Sequence, residues 1–112
     1  MVDILSEAYK IHIKGIVQGV GFRPFVFKLA QELSVSGWVN NTSDGVCIHV
    51  EGNQVEVFYQ RLLIEKPPLA YIFSIEKKEI PIQHYDNFYI AESKQSHNND
   101  MIISTVLQQL LN

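Results

Sequence analysis

The chain has 112 residues, 46% hydrophobic and 19% charged, a balance that excludes a disordered chain and fits one domain with its own core. The formal net charge of -3 argues against nucleic-acid binding, which usually requires a basic face. The single cysteine excludes an internal disulfide and favours a reducing cytoplasm, and no apolar run approaches the roughly 18 residues that a membrane-spanning helix needs.

The first predicted elements are a strand, a glycine-rich loop and a helix. Apolar and polar residues alternate from Tyr9 to Lys14, the period of two that is typical of a half-buried strand. Three glycines within Gly15–Gly21 then indicate a loop with unusual backbone angles. Apolar residues recur at helical spacing over Pro24–Leu33, and proline suits the first turn of a helix.

Two strands after this helix form a predicted hairpin. Trp38–Val39 begins a short strand that is interrupted by Asn40–Gly45. Within that segment Asp44-Gly45 is a strong hairpin-turn signal. Alternation resumes over Val46–Glu51, which predicts the second arm of the hairpin.

The second half of the domain is predicted to add a helix and two strands. Asn53 can cap a helix that Pro67-Pro68 ends. Tyr71–Glu76 and Phe88–Ala91 are strand candidates because they are rich in aromatic and β-branched residues. The order β-α-β-β-α-β with a short final strand predicts an α+β, ferredoxin-like sandwich, in which two helices cover one face of an antiparallel sheet.

The predicted domain occupies residues 9–92. Residues 1–8 form an N-terminal extension that lacks the basic start of a signal peptide. Residues 93–112 form a polar linker and C-terminal tail, in which the apolar Met101–Leu111 is a candidate short helix.

The strongest chemical signal is the loop that leads from the first strand into the first helix. Such a junction presents backbone N–H groups and the positive end of a helix dipole to one point, where anions bind. Arg23 adds a planar, permanently charged guanidinium that suits phosphate or carboxylate. Neither the Walker loop nor the dinucleotide loop fits, because Gly-Lys-Ser/Thr is absent and Pro24 replaces the third glycine. The pattern alone also allows an ordinary tight turn.

Two motifs together resemble the acylphosphatase family. Gly15-Ile-Val-Gln-Gly-Val-Gly-Phe-Arg23 resembles the signature loop of that family, and Gly37-Trp-Val-Asn-Asn41, followed by Asp44-Gly45, is similar to its second motif. The resemblance covers roughly residues 9–91 and implies a ferredoxin-like fold. It implies that Arg23 binds the substrate phosphate and that Asn41 positions the attacking water. The backbone that wraps the phosphate would be that of Gln18, Gly19, Val20, Gly21 and Phe22.

The reaction implied by this resemblance turns an acyl phosphate and water into a carboxylic acid and phosphate. Neither a covalent enzyme intermediate nor a metal or other cofactor is expected. Such a reaction depends on positioning and on stabilisation of charge more than on a protein nucleophile. The expected partner is therefore a small acyl or carbamoyl phosphate, with no nucleic acid and no membrane.

Two finer motifs narrow the resemblance within the family. Arg23-Pro-Phe-Val26 and Pro67-Pro-Leu-Ala70 are more similar to the N-terminal domain of hydrogenase-maturation carbamoyltransferases (HypF-type) than to free-standing acylphosphatases. In those large proteins the domain handles carbamoyl phosphate, so other domains or hydrogenase maturation proteins are expected partners. The cysteine-rich zinc modules of the larger family are absent from this sequence. We therefore expect an excised or truncated domain, or a free-standing relative.

Other functions stay open at this point. The chain could be a free-standing acylphosphatase, or a non-catalytic module that uses the loop for anion binding or interaction. RNA binding on the open sheet face would need exposed aromatic residues and a basic surface, whereas His12, Lys14, Cys47 and His49 are expected there.

The remaining side chains have plain structural interpretations. His12 and His49 lie on neighbouring predicted strands without metal-ligand spacing, so both are expected to be exposed polar residues. Cys47 should face away from the core as an inert thiol. Trp38 and the phenylalanines are expected to be core aromatics, and Tyr89 is likewise expected to be structural.

Overall fold

The computed structural model describes residues 6–91 as a five-stranded sheet with two helices. The elements in chain order are β1 (Glu7–Ile16), α1 (Phe22–Glu32), β2 (Ser36–Asn41), β3 (Gly45–Gly52), α2 (Val55–Ile64), β4 (Tyr71–Glu79) and β5 (Phe88–Ile90). The strand order is β4-β1-β3-β2-β5. The ferredoxin-like sandwich is confirmed, with neither helix long and apolar enough to cross a membrane. The helix predicted at Met101–Leu111 lies outside the described residues.

The sheet is antiparallel except at one edge. β1 pairs with β3 and β4, and β2 pairs with β3, all in antiparallel register. β5 instead pairs parallel with β2, so the prediction of a wholly antiparallel sheet is wrong for this last strand. The chain crosses from one sheet edge to the other between β4 and β5, and this crossing allows the parallel arrangement.

Strand alternation builds the core on one side of the sheet. Ile11 and Ile13 of β1 are fully buried and stand opposite Ile48 and Val46 of β3. Both helices cover this side, and the apolar side chains that they bury against it are Phe22, Val26, Leu29, Ala30, Val55, Phe58 and Leu62. Full burial of a valine, leucine or phenylalanine side chain stabilises the fold by about 1.5–3 kcal/mol.

Helix α1 begins two residues earlier than its predicted start at Pro24. Gly21 is the N-cap in a left-handed conformation, with φ 79° and ψ 18°, and its carbonyl accepts the N–H of Phe25 at 3.2 Å. Proline is accommodated because first-turn N–H groups have no partner within the helix. Arg23 therefore lies inside the first turn of α1.

Two other predicted boundaries are wrong. Asn40 and Asn41 belong to β2, because they pair with Cys47 and Val46 of β3 and this pairing outweighs their low strand preference. The N-cap of α2 is Gln54 instead of Asn53, and it makes no side-chain capping bond.

The open face of the sheet differs most from the prediction. Trp38 is not a core residue: it lies on the open face and stacks on His49, with ring centroids 5.9 Å apart. His49 is only 5% exposed, so its predicted exposure is also wrong. Among the phenylalanines, Phe73 contradicts the prediction because it is 67% exposed. Tyr89, expected to be structural, contacts the Tyr85 ring at 6.1 Å and is 44% exposed.

The β4–β5 connection, residues 80–87, explains why His49 is buried. The carboxylate of Glu51 accepts the backbone N–H groups of Gln83 and Tyr85, each at 2.8 Å, and lies 3.0 Å from Nε2 of His49. The Tyr85 ring meets the His49 ring edge-on at 4.9 Å, and its hydroxyl accepts the indole N–H of Trp38 at 3.1 Å. Glu51 thus holds the connection over this part of the sheet.

Candidate active site at the end of strand β1

The loop between β1 and α1, here called the anion loop (residues 17–21), is shaped by two glycines. Gly19 and Gly21 have φ values of 76° and 79°, in a region that residues with a Cβ rarely adopt. Apart from the residues that flank each glycine, no atom of residues 6–91 lies within 4 Å of the position that a Cβ would take at either one. The loop therefore leaves open space beside its backbone at both positions.

Arg23 brings positive charge to the same place. Its side chain is half-buried in the first turn of α1, which contains no acidic residue. Within residues 6–91, no carboxylate forms an ion pair with its guanidinium. The first turn of α1 therefore carries both the positive end of the helix dipole and the charge of Arg23, which forms no ion pair with a carboxylate of the described chain.

Asn41 is the last residue of β2, and strand alternation decides which way it projects. It lies two residues after Val39, which is fully buried under the helices, so the two side chains share a face of the sheet. Asn40 lies two residues after Trp38 and shares the open face with it. Asn41 therefore projects from the side of the sheet on which α1 begins. The structure places the predicted loop, Arg23 and Asn41 at one end of the sheet.

The side chain of Gln18 joins the anion loop to the β2–β3 turn. Its Nε2 donates to the carbonyl oxygens of Thr42 at 2.6 Å and of Gly45 at 2.9 Å. Thr42 follows Asn41 directly, so this amide fixes the distance between the loop and Asn41. This link was not predicted from the sequence, because the resemblance gave Gln18 only a backbone role.

Polar contacts also stiffen the turn itself. The carboxylate of Asp44 accepts the Thr42 hydroxyl at 3.0 Å and lies 3.1 Å from Nε2 of His12. The hydrogen bond from Thr42 lowers the pKa of Asp44 most, and His12 and Lys14 lower it further against the opposing effect of burial. His12 and His49 thus face two different carboxylates, Asp44 and Glu51, and not each other.

The acylphosphatase family model matches residues 9–90, a stretch that contains the anion loop, Arg23 and Asn41. The chain belongs to the acylphosphatase family. Its acylphosphatase domain accounts for nearly all of the described structure.

Known proteins similar to this acylphosphatase domain are of two sizes. A probable carbamoyltransferase HypF of Methanocaldococcus jannaschii is 39% identical over 94 residues, which cover 81% of this chain and 12% of that protein. An acylphosphatase of Thermotoga maritima is 41% identical over 88 residues, which cover 75% of this chain and 96% of that protein. The crystal structure of a full-length HypF in its phosphate- and nucleotide-bound form matches with a TM-score of 0.75 and 39% identity, over 80% of this chain and 12% of that one. The chain therefore spans about one eighth of the HypF proteins.

A separate concavity of about 660 Å³ lies on the open face of the acylphosphatase domain. Its lining residues include Lys10, Trp38 and Cys47 but neither Arg23 nor Asn41. Burial raises the pKa of the Cys47 thiol, which agrees with the prediction of an inert cysteine facing away from the core. This concavity meets the candidate active site at the β2–β3 turn, because residues 42–44 also line it.

Proposed function

We propose that this acylphosphatase domain binds the phosphate group of an acyl or carbamoyl phosphate in the anion loop and hydrolyses it. The observation that carries this proposal is the Gln18 link, which joins the loop beside Arg23 to the turn that follows Asn41. A phosphate group bound by the loop would lie between a fixed set of donors and the amide that orients water.

Binding relies on charge and backbone donors. In the proposed binding mode the N–H groups of Gln18–Phe22 donate to the phosphate oxygens, and the guanidinium of Arg23 adds two parallel hydrogen bonds. These donors are positioned before substrate arrives, so they stabilise the charge that develops on the phosphoryl oxygens without further reorganisation.

The hydrolytic step needs few participants. A water molecule held by Asn41 attacks phosphorus, the bond from phosphorus to the acyl oxygen breaks, and the carboxylate leaves with the electron pair. The proton of the water passes to a phosphate oxygen, which gives carboxylate and dihydrogen phosphate. We expect no dependence of the rate on an enzyme side-chain pKa near 7, because the substrate's own oxygen accepts the proton.

The proposal also includes the kind of protein in which this domain acts. The similarity to HypF proteins supports a role as the N-terminal part of a carbamoyltransferase for nickel–iron hydrogenase maturation, with other domains or maturation proteins as partners. The similarity to complete acylphosphatases supports the alternative of a free-standing enzyme. A cytoplasmic location is proposed from the single cysteine.

The first test measures phosphate release from carbamoyl phosphate and benzoyl phosphate by wild type, Asn41→Ala and Asn53→Ala. We expect Asn41→Ala to lower kcat about 100-fold or more, the usual effect of removing one positioned polar group at a reacting centre. Asn53 is exposed before α2 and serves as the control, whose activity should equal that of wild type. A folded but inactive wild type would instead indicate a module that binds anions without catalysis.

A second prediction concerns the Gln18 link. Gln18→Ala should lower kcat/KM for benzoyl phosphate about tenfold while the fold persists, because about 1.4 kcal/mol of positioning is lost with two hydrogen bonds. Gln60→Ala, at an exposed position of α2, is the matched control. Steady-state kinetics beside thermal unfolding would check this, and wild-type kinetics in folded Gln18→Ala would contradict it.

A further inference from the structure

The concavity on the open face of the sheet has the size and lining of a small-molecule site. Its volume of about 660 Å³ lies within the range of about 300–1,000 Å³ that such sites occupy. Asn40 and Cys47, which stand opposite each other in the β2–β3 register, line it together with Trp38. The indole of Trp38 gives the concavity a large, rigid apolar surface against which a flat ring can pack.

Two lysines at the concavity form a like-charged pair. Lys10 and Lys78 stand opposite each other in the β1–β4 register, and both are exposed and line the concavity. Like charges at directly opposite positions repel each other, so this pair destabilises the sheet. Neither ammonium lies within 4 Å of a carboxylate oxygen of residues 6–91. A bound anion would relieve the repulsion.

Two carboxylates also line the concavity, but only one of them opposes an anion at the lysine pair. Asp44 is engaged elsewhere, because it accepts the Thr42 hydroxyl at 3.0 Å and lies 3.1 Å from Nε2 of His12. Glu76 lies two residues before Lys78 and on the same side of β4, and it forms no ion pair with the described chain. The charge of Glu76 offsets that of one lysine, and the charge of the other is left over.

The spacing of the strands determines the size of the ligand. Trp38 of β2 and Lys10 of β1 both stand opposite His49 of β3, so their backbones are two strand spacings, or about 10 Å, apart. A single ring packed on the indole can therefore bring an attached acidic group to the flexible lysine side chain. We infer that this concavity binds a small aromatic acid, whose ring packs against Trp38 and whose anionic group is bound by Lys10 and Lys78. This site is distinct from the anion loop and does not depend on the proposed function.

The experiment uses the fluorescence of Trp38, which is the only tryptophan in the sequence. The probe is 4-nitrobenzoate, because its nitroaromatic ring quenches indole fluorescence on contact, and 4-nitrobenzamide is its uncharged analogue. Both are titrated into the protein, with correction for the light that they absorb. We expect saturable quenching by 4-nitrobenzoate and a dissociation constant about tenfold higher for the amide, because exposed charge pairs each contribute modestly and two of them add.

Variants test whether charge on the open face recognises the probe. Lys10→Met/Lys78→Met should raise the dissociation constant of 4-nitrobenzoate about tenfold and leave that of the amide unchanged, whereas Glu76→Gln should lower it about threefold. Lys28, an exposed lysine of α1, provides the matched control, and Lys28→Met should bind the probe as wild type does. Arg23→Ala should also bind it as wild type does, because the anion loop is a separate site.

Four results would overturn the inference. They are the absence of saturable quenching in wild type, equal affinity for the acid and the amide, wild-type affinity in the folded lysine double variant, and loss of probe binding in Arg23→Ala. The last result would assign the probe to the anion loop. Circular dichroism of each variant verifies that the sheet is intact. None of these measurements involves hydrolysis, so their failure would leave the proposed function standing.

Discussion

Arg23→Ala is expected to lower kcat/KM for acyl phosphate hydrolysis about a thousandfold, because under the proposed function it removes the side chain that supplies charge to the phosphoryl group. The guanidinium has no ion-pair partner in residues 6–91, so its loss should cost little stability and separate catalysis from folding. Steady-state kinetics with benzoyl phosphate and a urea titration of the same samples measure the two effects.

Arg61 provides a matched control, since it is the only other arginine in the sequence. It lies on α2 and pairs with Glu65 at 2.7 Å and Glu32 at 3.0 Å on the surface. Arg61→Ala should retain full activity. Arg23→Lys should recover only part of the activity, because lysine keeps the charge but loses the planar fork. Equal activity losses in Arg23→Ala and Arg61→Ala would show that the effect of Arg23 is not local.

Glu51→Ala is expected to be the most destabilising change outside the apolar core, at about 3–5 kcal/mol. Glu51 is 3% exposed, and its removal leaves the N–H groups of Gln83 and Tyr85 and the ring of His49 without their acceptor. Since small domains have only about 5–15 kcal/mol of stability, this loss should be plain in urea unfolding. If the alanine variant does not fold, Glu51→Gln, which keeps one acceptor oxygen, should fold with an intermediate loss.

The pKa of Glu51 also predicts how the stability of the fold depends on pH. Burial alone would raise the pKa of Glu51, but the N–H of Gln83, the His49 ring and the N–H of Tyr85 outweigh it, so the pKa falls below its ordinary value of 4.5. A carboxyl group with a lowered pKa in the folded state stabilises the fold above its unfolded pKa, and this stabilisation is lost as pH falls through the folded pKa. Wild type should therefore lose stability below about pH 4.5, as checked by urea unfolding at several pH values.

The control for this pair of predictions is Glu65→Gln. Glu65 forms a surface ion pair with Arg61, where solvent screening leaves little net stabilisation. This variant should therefore keep the acid-dependent loss of wild type, whereas Glu51→Gln should show a weaker one. An unchanged acid profile in folded Glu51→Gln would assign that loss to other carboxylates.

The parts of the fold that follow from local pattern could be predicted from the sequence. Alternation located β1 and β3 because one face of each strand is buried, and helical spacing located α1 and α2. The positions of Trp38 and His49 could not be predicted, because the residues that cover them come from a connection more than thirty positions away in the chain. For the candidate site, the motifs indicated Arg23 and Asn41, but the bonds of the Gln18 amide depend on where the β2–β3 turn lies in space.

The parallel pairing of β5 determines where the chain leaves the domain. β2 runs towards the candidate active site and ends there at Asn41, and β5 runs beside it in the same direction, with the N–H of Ala91 donated to the carbonyl oxygen of Val39. The chain therefore leaves the sheet about two residues, or roughly 7 Å along the strand, short of the level of Asn41. β5 therefore ends at the same end of the sheet as β2, whereas an antiparallel last strand would have ended at the opposite one.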